Sequence, residues 1–313
     1  MTMLRREFGL AVVLLPLMVR AQTGGAPTRG PLFWLVSRGK ARVFLMGFGD
    51  ARTDEQSWFT PSIQKAFQDS SELWLEVAPP EATAGRDAAT KAKADAEYQE
   101  LSHEPRGRTF FDELEPRARE RVLTAMAELG IQREVVEPLR PWSAYYAINR
   151  AFWSHAKLAY EPANVDQVLR TLATDQGKSV QYEMPDGVTF ARFMAAMPEK
   201  AQSQYIEFLL YFLDDQKQGL NATPFDWEFG SPAAGMRSLD RMRTKPPDLY
   251  RSVQVQRNIW WARKIDELLS ADRTSFIGIG QLHVLGPDGI PSQLTRLNIV
   301  SPSEIRENPP YPA

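Results

Sequence analysis

Cysteine is absent from this 313-residue chain. The protein therefore has no disulfide, no zinc–cysteine site, no thiolate nucleophile and no lipid-modified cysteine. At this length, and with 43% hydrophobic residues, the chain can bury a core large enough to hold the fold by packing alone. The sequence thus predicts a globular protein that needs no covalent cross-link.

An excess of positive charge is also lacking. The chain has 37 basic and 39 acidic residues, a formal net charge of −2, and its basic residues never run longer than a pair. Proteins that bind nucleic acid need a concentrated basic surface to meet the phosphate backbone. We therefore expect no nucleic-acid partner.

Long apolar runs are scarce, and the clearest one lies at the N-terminus. Arg5 and Arg6 precede an apolar run of about a dozen residues, and Ala21 ends a plausible cleavage site. This predicts a signal peptide at residues 1–21, a linker at 22–30 and one folded domain at 31–313. The run is shorter than the roughly 20 residues that span a bilayer. We expect an exported protein, periplasmic or secreted, without a stable membrane span after cleavage; an uncleaved anchor or a buried first helix are the alternatives.

The remaining pattern predicts an α+β fold, in which N- and C-terminal strands form a mixed β-sheet packed with a large helical middle region. Strands are expected at residues 32–36, 41–46, 73–77, 179–184, 275–280 and 297–300. Thr60 followed by Pro61 is a typical helix start, and spaced apolar residues predict helices through most of 116–269.

Two strand ends show the same arrangement of residues. Gly47-Phe48-Gly49-Asp50 follows one apolar run, and Gly280-Gln281-Leu282-His283 follows another. In each case a glycine allows a sharp turn, and a polar side chain comes three residues later. Strand ends are where α/β proteins gather reactive groups, so both are candidate site segments.

These motifs resemble the TraB/GumN family, which is related to the Tiki proteases that act on Wnt ligands. The resemblance extends over nearly all of the folded region. It rests on a strand ending in Gly-x-x-His, a strand carrying glutamate, a long helical middle, Arg-Asn and Trp-Ala pairs, and a second Gly-x-x-His before Gly-Pro-Asp-Gly. The corresponding residues here are Gly47 to Asp50, Glu76, Arg257-Asn258, Trp261-Ala262, and Gly280 to Gly289.

The resemblance implies a metal-dependent hydrolase, most plainly a peptidase acting on a peptide or protein substrate. By this correspondence Glu76 and His283 are catalytic and bind the metal, while Asp50 stands where the family has its first histidine. One imidazole and two carboxylates suit a hard divalent ion, with manganese and cobalt as first candidates. Such an ion would activate a water for attack on a carbonyl. Glu183 and Arg257 are expected beside these ligands, Glu183 as a hydrogen-bond partner and Arg257 to neutralise a carboxylate or an oxyanion.

Each of these residues also has an ordinary structural interpretation. Asp50 could cap the turn after its strand, Glu76 could face solvent on an alternating strand, and His283 could be a hydrogen-bonded structural histidine. Glu183 and Arg257 could form an ordinary ion pair. Two other functions therefore stay open. One is an inactive family member that binds a peptide or an envelope partner; the other is an unrelated exported structural protein.

Overall fold

The structure is a computed structural model that describes residues 30–49, 51–52, 58–105, 107–155, 162–217, 226–245 and 247–308. The predicted signal peptide, nearly all of the predicted linker and the candidate ligand Asp50 lie outside these residues. No helix in the described part is long and apolar enough to cross a membrane.

In the described ranges, eight strands form two sheets. The strands are β1 Phe33–Arg38, β2 Ala41–Phe48, β3 Ala51–Arg52, β4 Glu72–Val77, β5 Pro162–Ala163, β6 Ser179–Met184, β7 Thr274–Gly280 and β8 Ile305–Glu307. The larger sheet has the order β6-β4-β7-β2-β1-β8, and β3 pairs with β5. Strands β6, β4, β7 and β2 run parallel, whereas β1 and β8 are antiparallel to their neighbours. The sheet is therefore mixed and is built from the two ends of the chain.

Helices supply most of the remaining structure. They are α1 Pro61–Asp69, α2 Ala88–Ser102, α3 Pro116–Glu128, α4 Arg133–Val136, α5 Pro141–His155, α6 Val165–Asp175, α7 Gly187–Ala196, α8 Glu199–Lys217, α9 Ala233–Thr244, α10 Pro247–Tyr250, α11 Arg257–Ser270 and α12 Ile290–Arg296. One π-helical turn, Arg251–Gln256, joins α10 to α11. The predicted α+β class, with its large helical middle, is confirmed.

The two faces of the larger sheet are both covered by helices. On one face, Phe67 of α1 and Leu169 of α6 share a buried core with Phe44 of β2. On the other face, Trp261 of α11 joins Leu45 of β2 in a second core. Consecutive residues of a strand point to opposite faces, so the apolar run of β2 is buried on both sides. Helices α3, α5 and α8 share a third core.

Local signals in the sequence account for several element boundaries. Thr60 caps α1 by accepting a hydrogen bond from the Ile63 N–H at 3.4 Å, and Pro61 begins the helix as predicted. The strand predicted at residues 297–300 is wrong, because those residues form a turn. The last strand is β8, which pairs with the edge of β1. This strand is only three residues long and largely polar, so it has no apolar alternation that would reveal it.

Candidate functional site

Glu76 and Glu183 lie side by side at the carboxyl edge of the larger sheet. Strands β4 and β6 are parallel, and the pairs Leu75–Tyr182 and Val77–Met184 bring the two glutamates level with each other. Trp74, on the same side of β4 as Glu76, packs edge-on against Trp261 of α11. The alternation predicted for this strand therefore places Glu76 on a face covered by α11. Two neighbouring carboxylates repel each other unless a cation lies between them.

Arg257, the first residue of α11, supplies that cation. Its Nη2 donates to Glu76 Oε2 at 2.6 Å, and its Nε donates to Glu183 Oε1 at 2.9 Å. Nη2 also donates to Glu183 Oε2, which accepts a further hydrogen bond from Trp261 Nε1 at 3.0 Å. The Arg257 side chain is 13% exposed. Burial alone would lower the pKa of Arg257, but the charges of Glu76 and Glu183 raise it above its ordinary value.

The second oxygen of Glu76 is held by the end of the neighbouring strand. The Gly280 N–H donates to Glu76 Oε1 at 2.6 Å. A side chain at residue 280 would place its Cβ 3.1 Å from that oxygen, so the close approach favours glycine. Burial by itself would raise the pKa of Glu76, whereas Arg257, His283 and the Gly280 N–H lower it well below its ordinary value. Glu76 is therefore ionised at neutral pH.

His283 follows in the short 3-10 helix Gln281–Val284 and is 5% exposed. The carbonyl oxygen of Asp288 can only accept, and it receives Asn258 Nδ2 at 2.7 Å. Asn258 then presents Oδ1 to His283 Nδ1 at 2.6 Å, so Nδ1 carries the imidazole proton. Nε2 is left as an acceptor and receives Arg257 Nη1 at 3.0 Å. Its distance to Glu76 Oε2 is 3.4 Å.

The Gly-Pro-Asp-Gly turn after His283, residues 286–289, helps to hold Asn258 and thereby His283 in place. Asp288 accepts hydrogen bonds from the Tyr250 hydroxyl at 2.9 Å and from Arg296 Nη1 at 2.8 Å. Both partners hold the turn whose carbonyl orients Asn258. The first motif glycine, Gly47, also permits a close contact, because a Cβ there would lie 2.4 Å from Val284 Cγ2. The two motif segments are adjacent, since β2 and β7 pair with Phe48 opposite Gly280.

The structure thus brings together four of the predicted site residues: Glu76, Glu183, Arg257 and His283, here called the quartet. Asp50 lies outside the described residues, so its place relative to the quartet stays a prediction. Asn258 and Trp261 contact the quartet but were not predicted as site residues. The Arg-Asn and Trp-Ala pairs that support the resemblance were the only sequence signal for them.

The quartet does not fit a divalent metal ion as it stands. Within the described ranges, no group of three His, Asp or Glu side chains is placed to hold one. The two expected ligand atoms, Glu76 Oε2 and His283 Nε2, both contact the guanidinium of Arg257 instead. A divalent ion about 4 Å from that cation would be repelled by about 8 kcal/mol at an effective dielectric constant of about 20. Metal binding would therefore require Arg257 to release both atoms.

A cavity of about 500 Å³ opens at the same edge of the sheet. It begins at Ala78, two residues beyond Glu76, and Tyr98 of α2 forms part of its wall. Tyr98 contacts Trp142 edge-on at 6.3 Å between ring centroids, and Trp142 contacts Tyr146 in the same way at 6.5 Å. Burial raises the pKa of Tyr146, and the charges of Arg257 and Glu76 also act on that pKa, so the ring lies near both groups. The side chains of Tyr98, Trp142 and Tyr146 therefore lie between the cavity and the quartet, and no quartet residue lines the cavity itself.

The quartet offers three chemical groups to a ligand. Glu76 is a carboxylate, His283 has an imidazole lone pair that Arg257 Nη1 occupies in this structure, and Arg257 is a cation. Of the five N–H groups of Arg257, the Nε–H, both Nη2–H groups and one Nη1–H form hydrogen bonds within the quartet. The second Nη1–H meets no acceptor in the described part of the chain. Such a set can accept a proton and can stabilise a developing negative charge.

Comparison with known proteins agrees with the motifs. The model of the TraB/PrgY/gumN family matches residues 32–301, which include all four quartet residues. No curated protein and no solved structure was found to match the chain. The match confirms the resemblance drawn from the motifs. Because it covers most of the chain, this protein belongs to the TraB/PrgY/gumN family.

Proposed function

We propose that this protein is an exported hydrolase that cleaves peptide bonds, with Glu76, Arg257 and His283 as its reactive centre. One observation carries the proposal: a carboxylate, an imidazole acceptor and a guanidinium meet within 3.4 Å at a sheet edge. The nearby cavity, about 500 Å³, falls within the roughly 300–1,000 Å³ of small ligand sites. It can receive a segment of a peptide chain.

The proposed reaction is the addition of water to the scissile carbonyl. The water oxygen bonds to the carbonyl carbon while His283 Nε2, once Arg257 Nη1 has released it, accepts the proton of the water, and Glu76 Oε2 orients the water. The free N–H of Arg257 Nη1 donates to the carbonyl oxygen as that oxygen becomes negative. The carbon–nitrogen bond then breaks, and the proton on His283 passes to the leaving amine. Asn258 holds the imidazole in the required tautomer throughout.

A water activated by a metal ion is the mechanism that the family resemblance implies. Its ligand set of Asp50, Glu76 and His283 stays a prediction, because Asp50 lies outside the described residues. The contacts of Arg257 with Glu76 and His283 favour the metal-free centre. The two mechanisms differ in their response to chelators, which makes them separable by assay.

A peptidase assay of the full chain tests the proposal. The purified protein is incubated with an unstructured protein and with a mixture of quenched fluorescent peptides, once with chelator and once with manganese or cobalt. We expect cleavage in the chelator arm and a fall in kcat of roughly 10²- to 10⁴-fold for His283→Gln. His103→Gln is the matched control, because the imidazole of His103 bonds to the neighbouring Ser102 and Gln99 at the end of α2, away from the quartet.

A folded wild-type chain that cleaves nothing in any arm would overturn the proposal. If that chain still bound peptides, the inactive peptide-binding protein would replace it. Export has its own readout: fractionation of cells and N-terminal sequencing of the mature form should give Gln22 as the first residue. A chain retained in the cytoplasm with Met1 or Thr2 at its start would contradict the predicted signal peptide.

A further inference from the structure

We infer that the guanidinium of Arg257 is the resident cation of this site and holds the position that a divalent ion would need. The family resemblance leads one to expect a metal, and the described side chains disagree with it. In this inference Arg257, rather than a metal ion, neutralises the carboxylates of the site. It does not depend on whether the site hydrolyses peptides, although it uses the same residues as the proposed function.

The atoms that would have to bind a metal ion already accept hydrogen bonds from the guanidinium of Arg257. Glu76 Oε2 accepts from Nη2, His283 Nε2 accepts from Nη1, and Glu183 accepts from Nε and Nη2. The other oxygen of Glu76 accepts from the Gly280 N–H. A metal ion needs lone pairs that are free to coordinate it, and these atoms direct theirs at N–H groups.

Arg257 is also held where it lies. Glu183 binds it through two nitrogen atoms and is itself bound by Trp261, one helical turn further along α11. Asn258, the next residue, is tied to His283 and to the Asp288 carbonyl. Moving the guanidinium away would break its contacts with Glu76, Glu183 and His283, and the buried carboxylates would lose their counter-ion.

The net charge of the quartet explains why the arginine and an ion compete. Two carboxylates and one guanidinium sum to −1 when His283 is neutral. Without Arg257 the sum would be −2, with two carboxylates and one imidazole facing the space it left. Such a set suits a hard divalent ion such as manganese. Loss of the arginine should therefore convert the site into a metal site.

Metal analysis of the purified full chain tests this inference. Protein stripped with chelator is dialysed against Mn²⁺, Co²⁺ or Zn²⁺, and bound metal is measured by elemental analysis alongside thermal unfolding. We expect no bound ion at this site in wild type. Arg257→Ala should bind about one equivalent, should unfold at a higher temperature when the metal is present, and should lose it again when combined with His283→Ala.

Two further variants keep the test decisive. Arg257→Met preserves the packing of the arginine stem if the alanine variant does not fold. Arg192→Ala is the matched control, because it removes an exposed arginine from a single carboxylate, Glu97, and should gain no metal. The inference fails if wild type retains about one equivalent that His283→Ala removes, or if no folded Arg257 variant gains metal.

The outcomes separate this inference from the proposed function. A wild-type chain that needs a bound metal to cleave peptides would contradict the inference but support the peptidase function. The opposite outcome is a wild-type chain that binds no metal and cleaves nothing, together with an Arg257 variant that gains metal. This outcome would contradict the peptidase function but support the inference.

Discussion

Replacing Glu76 by glutamine removes one charge from the quartet while preserving its shape. The change breaks the charged contact between Glu76 Oε2 and Arg257 Nη2 at 2.6 Å. Arg257 is not left without a counter-ion, because Glu183 still binds it through two nitrogen atoms. The cost should therefore be that of a hydrogen bond between charged groups, about 1.5–3 kcal/mol at pH 7. Losing the only partner of a buried charge would cost about 3–5 kcal/mol.

The difference in unfolding free energy between wild type and Glu76→Gln should depend on pH, and this dependence tests the prediction most directly. The folded-state pKa of Glu76 lies below its ordinary value of 4.5. A carboxylate with a lowered pKa contributes stability above its unfolded pKa, and the contribution is lost as the pH falls toward the folded pKa. Each pH unit in that window is worth about 1.4 kcal/mol. At pH 3.5, one unit below the ordinary value, the gap between wild type and Glu76→Gln should shrink by about 1.4 kcal/mol.

Urea unfolding followed by tryptophan fluorescence measures both quantities, since the chain has eight tryptophans. Glu183→Gln serves as the internal comparison and should cost more than Glu76→Gln, because Glu183 bonds to two nitrogens of Arg257 and to Trp261. Glu97→Gln, in a pair with Arg192 on the surface, should change stability little. A gap that is the same at pH 7 and pH 3.5 would refute the reasoning, as would a Glu76→Gln variant as stable as wild type.

Two other substitutions test how the site is held. Gly280→Ala should destabilise the protein by about 1–3 kcal/mol, because its Cβ would press on Glu76 Oε1, whereas Gly85→Ala, with no atom within 4 Å, should cost nothing in thermal unfolding. Asn258→Leu should leave the buried Nδ1–H of His283 unpaired, cost about 1–3 kcal/mol, and release the fixed tautomer of His283, whereas the Asp288 carbonyl keeps its hydrogen bond from Gln293 Nε2. The ¹⁵N shifts of the imidazoles report that release, and unchanged shifts would contradict the assignment of the proton to Nδ1.

The strands that bear the site were predictable because their signals are local. The apolar runs at residues 41–46, 73–77 and 275–280 mark strands whatever they pair with, and Thr60 with Pro61 marks a helix start by its own hydrogen bond. Glycine before a polar residue at the end of β7 pointed to His283 for a similar reason. Strand β8 escaped prediction because a three-residue polar edge strand is defined by its pairing with β1.

The partners of the site residues could not be predicted in the same way. Residues 76, 183, 257 and 283 are far apart in the chain, and their meeting depends on the strand order β6-β4-β7 and on how α11 packs across it. The predicted helix over residues 249–269 also contains the π-helical turn Arg251–Gln256, which directly precedes Arg257. Such turns often occur at functional sites, and no periodic pattern indicated this one.

The sequence by itself therefore determined the family, the α+β class and the types of candidate site residue, because composition, periodicity and short motifs act over a few residues at a time. Only the tertiary structure decided that Arg257 lies between the two glutamates and against His283. That position results from long-range packing and from the attraction of one buried cation to two carboxylates, and neither is encoded in the spacing along the chain.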